Sequence, residues 1–510
     1  MTPQPRRIFI STSRSIEAKS AWGMAARRLA ELGHNIVGFS GNDSDLLKEL
    51  GENVTVFASD LVTAVEHGGA YSPQVLADYR QYRFSAEYSE NHQMVIQMMS
   101  RLDVAGTFRM LEREIFSRRI YLELFASLEA SRPNFGIFDV TPHDSYAFAA
   151  MRIFEWKEIP LLMFQPSLVG PQVMARKSLT ETLDVSLSPA SVKRNRAVLN
   201  SVHYLSEGFV DRLEEGSGTP KMDSQKSKEE RVKSVSFRLR AVWQTVVKLA
   251  TSAGDVPFSL SGHGSLPPAL RRALNVLSER SLRRNLRGVI DSLASLDAAP
   301  RDRFVFLALH YEPERSSIPE GYPFDSQIDA VIWVRRLVPD DVTLIVKEHF
   351  SQKASALRGF VGRSPQFYGL LEQIPGVVVV GTSSNTRSLM SHAECVFTFT
   401  GKVGIEAALL GTRVMFLGQP WWAGLPGATS LANFESYDEL VNKSVVDPKS
   451  VREWLSEQIQ NSLLPGLASV SPERYNNRIA QLPDGFERVE AEGIVEAFFA
   501  RLRVAVGSHQ

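Results

Sequence analysis

Five short apolar runs between residues 304 and 417 constrain this chain more than any other feature. They are Phe304–Leu309, Thr343–Lys347, Val377–Val380, Cys395–Phe399 and Arg413–Leu417. Helix-period segments separate them, as in Asp325–Leu337, where Ile328, Val331 and Ile332 form the expected buried stripe. Unbroken apolar strands alternating with helices specify a parallel sheet covered on both faces. A second series lies near the N-terminus. Arg7–Ser11 and Asn35–Phe39 read as strands flanking a helix marked by Trp22, Ala26, Leu29 and Leu32 and stopped by Gly33. Leu111, Ile115, Leu122 and Phe125 mark one face of a long helix that ends before Arg132-Pro133. Strand Phe135–Phe138, helix Tyr146–Trp156 and strand Leu161–Phe164 follow.

Between Pro189 and Ala299 the pattern is helical without a strand series. Gly216–Lys228 is polar and rich in helix breakers, which predicts a loop. From Tyr437 onward the chain reads as helical. The expected organisation is an N-terminal Rossmann-like domain over 1–188 and a helical insertion over 189–300. A C-terminal Rossmann-like domain over 301–475 and a helical segment over 476–510 complete it.

Composition narrows the function. Lys plus Arg number 57 and Asp plus Glu number 57, a balance that argues against a nucleic-acid binder. The one cysteine, Cys395, makes no internal disulfide, so a reducing, cytoplasmic setting is expected. The first residues carry only Ile8-Phe9-Ile10 as an apolar run, too short for a signal peptide. Peripheral contact with the inner membrane is compatible with this reading. The basic stretch Arg271–Arg287 is usually a solvated face, with anionic lipid or an acidic glycan as the alternative partner.

Parallel sheets bind ligands outside the carboxyl ends of their strands. All five C-terminal runs end in polar, glycine or aromatic groups there. These are His310-Tyr311-Glu312-Pro313-Glu314, Lys347-Glu348-His349, Thr382-Ser383-Ser384-Asn385, Thr400-Gly401-Lys402-Val403-Gly404-Ile405-Glu406 and Gly418-Gln419-Pro420-Trp421-Trp422. The turn Thr400–Glu406 joins a strand to a helix start. Gly401 and Gly404 allow close backbone approach, and helix-terminal N–H groups favour an anion. The competing reading is a tight turn with glycine for packing only. Glu406 suits ribose hydroxyls or simply the helix dipole. Lys347 and His349 are candidate phosphate contacts, with a surface salt bridge and helix cap as the bland alternative. His310 and Glu312 are weaker candidates, because a satisfied structural histidine and a solvated proline loop explain them as well. In the N-terminal half, His143 follows a strand end and is the candidate general base, with Asp139 or Asp144 to orient it. The competing reading has Pro142-His143 capping the next helix.

Other signals are discounted. Asp43-Ser44-Asp45 more simply opens a helix over Asp45–Leu50. The sequence contains no zinc-binding histidine or paired-cysteine spacing, no phosphate-binding loop of the Walker type and no nucleophile elbow, so no metal and no bound cofactor are expected.

These residues resemble a family. Leu309 to Glu314, Gln327, Lys347-Glu348-His349, Thr400-Gly401, Gly404 to Ala407, and Gly418 before Trp421-Trp422 are similar to the capsule-polysaccharide and surface-glycan glycosyltransferases. Pro142-His143 is similar to a shorter family feature. The chain departs from the pattern at Phe350, where the family often has proline, and at Lys402, where it often has a small residue. The resemblance implies a GT-B fold, with two Rossmann-like domains facing a cleft. It implies a nucleotide-sugar donor on the C-terminal side and a glycan or glycolipid acceptor on the other. The expected activity is metal-independent sugar transfer in capsule or lipopolysaccharide synthesis. Lys347, Glu348, Thr400, Gly401, Lys402, Gly404, Glu406, Ser383, Asn385, His310 and Glu312 would serve the donor, and His143, Asp139 and His349 the chemistry. CMP-, UDP- and GDP-linked donors are not distinguished. A nucleotide-sugar epimerase of the same architecture and a non-catalytic glycan-binding subunit are the alternatives.

Overall fold

The computed structural model describes residues 4–12, 20–40, 55–57, 71–99, 110–167, 169–199, 268–354, 357–442, 446–467, 482 and 484–507. The expected helix at 45–50 and the expected loop at 216–228 lie outside the described residues. The strands are β1 (Arg7–Ser11), β2 (Asn35–Ser40), β3 (Thr55–Phe57), β4 (Phe135–Phe138), β5 (Leu161–Pro166) and β6 (Gln172–Arg176). They continue as β7 (Phe304–Ala308), β8 (Thr343–Lys347), β9 (Val377–Val380), β10 (Val396–Thr398), β11 (Val414–Phe416), β12 (Ala428–Ser430) and β13 (Leu464–Pro465). The chain divides into two compact units. The first holds Met1–Gln97, Arg113–Leu205 and Leu455–Gln510, and the second Met98–Glu112 and Ser206–Trp454.

Among the described residues the first unit carries a seven-stranded sheet in the order β13-β6-β5-β4-β1-β2-β3. β1 to β5 pair in parallel, while β6 and β13 run antiparallel at one edge. Helix Ala21–Glu31 starts where the Ser20 side chain accepts from Gly23 N–H, and it stops before Gly33, whose φ of 87° suits a residue without Cβ. Its buried face of Trp22, Ala25, Ala26 and Leu29 meets the sheet and the C-terminal helix Phe486–Gly507 in one core, with Phe135, Phe164 and Phe498. His34 lies edge-on to Phe498 at 4.8 Å between ring centres.

The second unit carries a six-stranded parallel sheet in the order β12-β11-β10-β7-β8-β9. Four of the five expected runs pair as its inner strands, and Val377–Val380 forms its edge beside β8. The apolar side chains of the four inner strands are buried on both faces, which explains sequences such as FVFLA and TLIVK, while Val378 on the edge strand is exposed. Both units are α/β, as the alternation of elements requires.

Three expectations need correction. The buried stripe of helix Gln327–Leu337 is Ala330, Val331 and Val334, while Ile332 is 42% exposed. Ile332 lies about 100° round the helix from Val331, off the face that meets the sheet. In helix Met110–Ser131 the buried face is Phe116, Ile120, Tyr121, Leu124, Phe125 and Leu128. Leu111 and Ile115 are exposed, because the aromatic cluster of Tyr82, Tyr88 and Trp156 meets the later turns. The segment after Tyr437 is not wholly helical, since Leu464–Pro465 extends the first sheet.

Candidate functional site

Each sheet has a topological switch point, where successive strands leave in opposite directions and open a crevice at their carboxyl ends. In the second unit it lies between β7 and β10. The loops leaving these strands are tied together by His310. Its Nε2 accepts the Thr400 N–H at 3.4 Å and lies 3.3 Å from the Thr398 hydroxyl. His310 is itself fixed by Gln327, whose side chain accepts from His310 N–H and donates to its carbonyl. The Thr400 hydroxyl donates to Ser316 carbonyl at 3.1 Å. His310 is thus buried and holds the turn, rather than standing open to a ligand.

Both glycines of the turn are packing-limited. A Cβ on Gly401 would stand 2.9 Å from Thr398 Oγ1 and 3.0 Å from His310 Nε2. One on Gly404 would stand 2.3 Å from the Trp422 ring. The helix they open, Val403–Leu409, has seven residues, so its dipole is small. Lys402 and Glu406 are half-buried at its start.

The Lys347-Glu348-His349 triplet at the end of β8 divides between two sides, as alternating residues of an extended chain do. Glu348 is fully buried on the Tyr368 side. It accepts from the Tyr368 hydroxyl at 2.8 Å and from Arg363 Nε at 3.1 Å. Lys347 is 7% exposed, and no described residue lies within hydrogen-bond or ion-pair reach of its ammonium. Burial lowers the Lys347 pKa to about 8, against the opposing pull of Glu348. His349 Nδ1 accepts the Ser351 N–H at 3.2 Å and caps a short helix. The neutral ring therefore carries its proton on Nε2, where it is a donor.

Glu312 is bound to Arg363, and its backbone N–H and carbonyl are both held by the Gln352 side chain. Ser383 bonds Ser295, and Asn385 caps helix Thr386–His392 by accepting from Ser388 N–H. Both sit beside edge strand β9, two strands away from the switch point. The structure thus brings His310, Thr400 and Gly401 together at the switch point, with Lys347 at the end of the neighbouring strand β8, and leaves Ser383 and Asn385 at the sheet edge. Arg363, Gln352 and Tyr368 were not among the sequence candidates. They lie in a polar stretch with no motif, and only folding shows that they converge on the rim.

In the first unit the switch point lies between β1 and β4. Thr12 donates to Asp139 Oδ2 at 2.8 Å and so ties the two strand ends, as His310 does in the other unit. His143 is half-buried, and its Nδ1 lies 3.2 Å from the Thr141 carbonyl. A carbonyl only accepts, so Nδ1 carries the proton and Nε2 the lone pair. Asp144, not His143, caps the following helix by accepting from Ala147 N–H at 2.8 Å. The buried Thr141 and Ser145 hydroxyls and Trp22 Nε1 have no partner among the described residues.

Fold and rims define a class: a two-unit α/β protein with a polar strand-end rim in each unit. Residues 289–459 match the family model described as capsule polysaccharide biosynthesis protein. The motifs of Phe304–Trp422 lie within that matched segment. A search of curated protein sequences returns no match. Among solved structures, the chain is similar to the Thermosulfurimonas dismutans KpsC β-Kdo 2,7 transferase. The identity is 14%, over 40% of this chain and 61% of that one, with a TM-score of 0.23. It is similar to the β-Kdo 2,4 transferase of the same KpsC at 13% identity, over 62% and 77% of the two chains, with a TM-score of 0.26. A Neisseria meningitidis UDP-GlcNAc 2-epimerase matches at 11% identity over 97% and 99%, with a TM-score of 0.18. The chain thus spans about three-fifths of the length of the first of these.

Proposed function

We propose that the chain is a glycosyltransferase of surface-glycan synthesis that takes its sugar from a nucleotide-activated donor without a metal. The observation that carries this reading is Lys347, a residue only 7% exposed whose ammonium has no ion-pair partner among the described residues, at the end of an inner strand of the family-matched segment. A desolvated cation is costly unless an anion meets it. A donor phosphate supplies that anion. The adjacent His349 presents Nε2–H and would donate to the departing phosphate oxygen. Each well-placed donor of this kind contributes ~3–4 kcal/mol of transition-state stabilisation. Thr400, Gly401, Lys402 and Gly404 would form the wall beside the phosphate, and Glu406 would hold ribose hydroxyls.

In this reading His143 is the general base. Its Nε2 lone pair would take the proton of an acceptor hydroxyl, with Thr141 carbonyl holding the ring in that tautomer. Asp139 would act through Thr12 on the shape of the rim rather than on the imidazole. The first test is a thermal-shift screen with CMP, UDP and GDP. One of them should raise the melting temperature of the wild type and leave Lys347→Ala unmoved. No rise with any nucleotide sinks the proposal. His143→Ala should abolish transfer while nucleotide affinity stays within about twofold of wild type, the pattern of a group acting on the transition state. Turnover by that variant removes His143 from the mechanism, and sugar-nucleotide interconversion without acceptor replaces transferase by epimerase.

A further inference from the structure

The strand register lays one row of side chains across the carboxyl end of the second sheet. Lys347 pairs with Val380 on one side and with Ala308 on the other. The pair Phe397↔Leu307 puts Thr398 next to Ala308, and Thr398 pairs in turn with Phe416. Paired residues share a face of the sheet, and the face alternates along each strand. Val346, Leu307 and Phe397 therefore point the other way, into the core that also holds Tyr368. Glu348 lies on that far side too, bonded to Tyr368 and Arg363. The row thus reads Val380, Lys347, Ala308, Thr398, Phe416, with no acid in it. Ala308 is its small member. Along the four inner strands every residue is buried except Thr343, at the amino end, and Ala308. His310, two residues beyond Ala308, lies on the same face, with Nε2 3.3 Å from the Thr398 hydroxyl. Gly401 closes against both. The strands of Lys347 and Thr398 stand roughly 10 Å apart, two strand spacings, and only a methyl group rises between them.

We propose that the space over Ala308 is the slot that receives a phosphate group, with Lys347 as one wall, Thr398, His310 and Gly401 as the other, and Ala308 as the residue whose size keeps it open. The inference rests on the reading of Lys347 as the phosphate-binding group, and it adds where the phosphate sits and which residue admits it. Ala308 brings neither charge nor side-chain hydrogen bond. It is a specificity-determining residue through its volume alone. A longer apolar side chain there would fill the slot and cover the Lys347 ammonium. The core on the opposite face, built on Leu307 and Val346, would not be touched.

The test fills the slot and reads Lys347 in the full chain. Cyanate is small enough to enter, and its carbamylation of Lys347 is followed by peptide mass spectrometry at about pH 9.5, where that amine is neutral. The exposed Lys449 serves as internal control. Lys347 should react in the wild type. In Ala308→Leu it should react about tenfold more slowly or less, as for a group reached only through local opening, with Lys449 unchanged. Affinity for CMP, UDP, GDP or inorganic pyrophosphate, whichever binds wild type, should fall about tenfold or more, the loss of one contact to a charged group. Ala308→Gly, which widens the slot, should leave both readouts close to wild type. Where Ala308→Leu does not fold, Ala308→Val replaces it, since a β-branched side chain suits a strand. A Lys347 that resists cyanate in the wild type, or reacts as fast in the filled variant, overturns the slot. Phosphate binding that survives a slowed Lys347 also overturns it and leaves the transferase reading standing. A slowed Lys347 with no phosphate probe bound by wild type supports an open slot over Ala308 and sinks both its phosphate occupant and the transferase reading.

Discussion

Gly404 has no side chain because the Trp422 indole occupies the space a Cβ would need, at 2.3 Å. Gly404→Ala should therefore destabilise the second unit by about 1–3 kcal/mol, the usual cost of overpacking, read from denaturant unfolding. A glycine kept only for phosphate approach would tolerate alanine in the unliganded protein. Lys347 makes a prediction of opposite character. Its pKa falls from 10.5 in the open chain to about 8 in the fold. Between these values the unfolded state binds more protons, so this residue makes stability rise with pH across that window. Phosphate affinity runs the other way and should drop as pH passes through about 8, because the ammonium is lost. Lys347→Arg should flatten that drop, and a drop that persists would assign it to another group.

At the scale of elements, the C-terminal helix Phe486–Gly507 completes the core of the first unit with Ile494, Ala497 and Phe498. Phe498→Ala should cost about 3–5 kcal/mol, measured by unfolding of that unit. His34 sits in the same contact, with Arg6 N–H donating to its Nδ1. Burial, and then the Arg6 charge, lower its pKa below the ordinary 6.5. Its contribution is therefore lost as pH falls below 6.5, where the unfolded chain takes up the proton first. His34→Gln should reduce the acid sensitivity of unfolding. None of this was legible in residues 484–507 alone. Their helical period was plain, but a helix carries no sign of which sheet will receive it. The strands were easier: FVFLA and FGIF are apolar throughout because both sheet faces are covered. The edge strands Thr55–Phe57 and Ala428–Ser430 are too short to stand out in sequence.

At the scale of the molecule, each unit has its own sheet and core, which makes separate unfolding the expected behaviour. Calorimetry should resolve two transitions, with the nucleotide that binds moving the one belonging to the second unit. At one hundred times its Kd that ligand adds about 2.7 kcal/mol to the stability of the unit that holds it. A single transition, moved as a whole, would show the units to be thermodynamically coupled. No helix among the described residues is long and apolar enough to cross a membrane.

Sequence by itself determined the two βα series, their parallel pairing and the polar rim at the strand ends, because burial on both faces forces apolar runs and leaves chemistry to the loops. It also marked Lys347, His349, Thr400 and His143 as residues at strand ends. Only the tertiary structure decided how these residues are used. It put His310 to work holding the Thr400 turn, filled the space over Gly404 with Trp422, and sent Ser383 and Asn385 to a sheet edge. It also brought Arg363 from a motif-free loop to Glu312 and Glu348. The physical reason is range. Periodicity and capping act within a few residues, whereas ion pairing and packing join groups whose separation along the chain gives no hint of their contact.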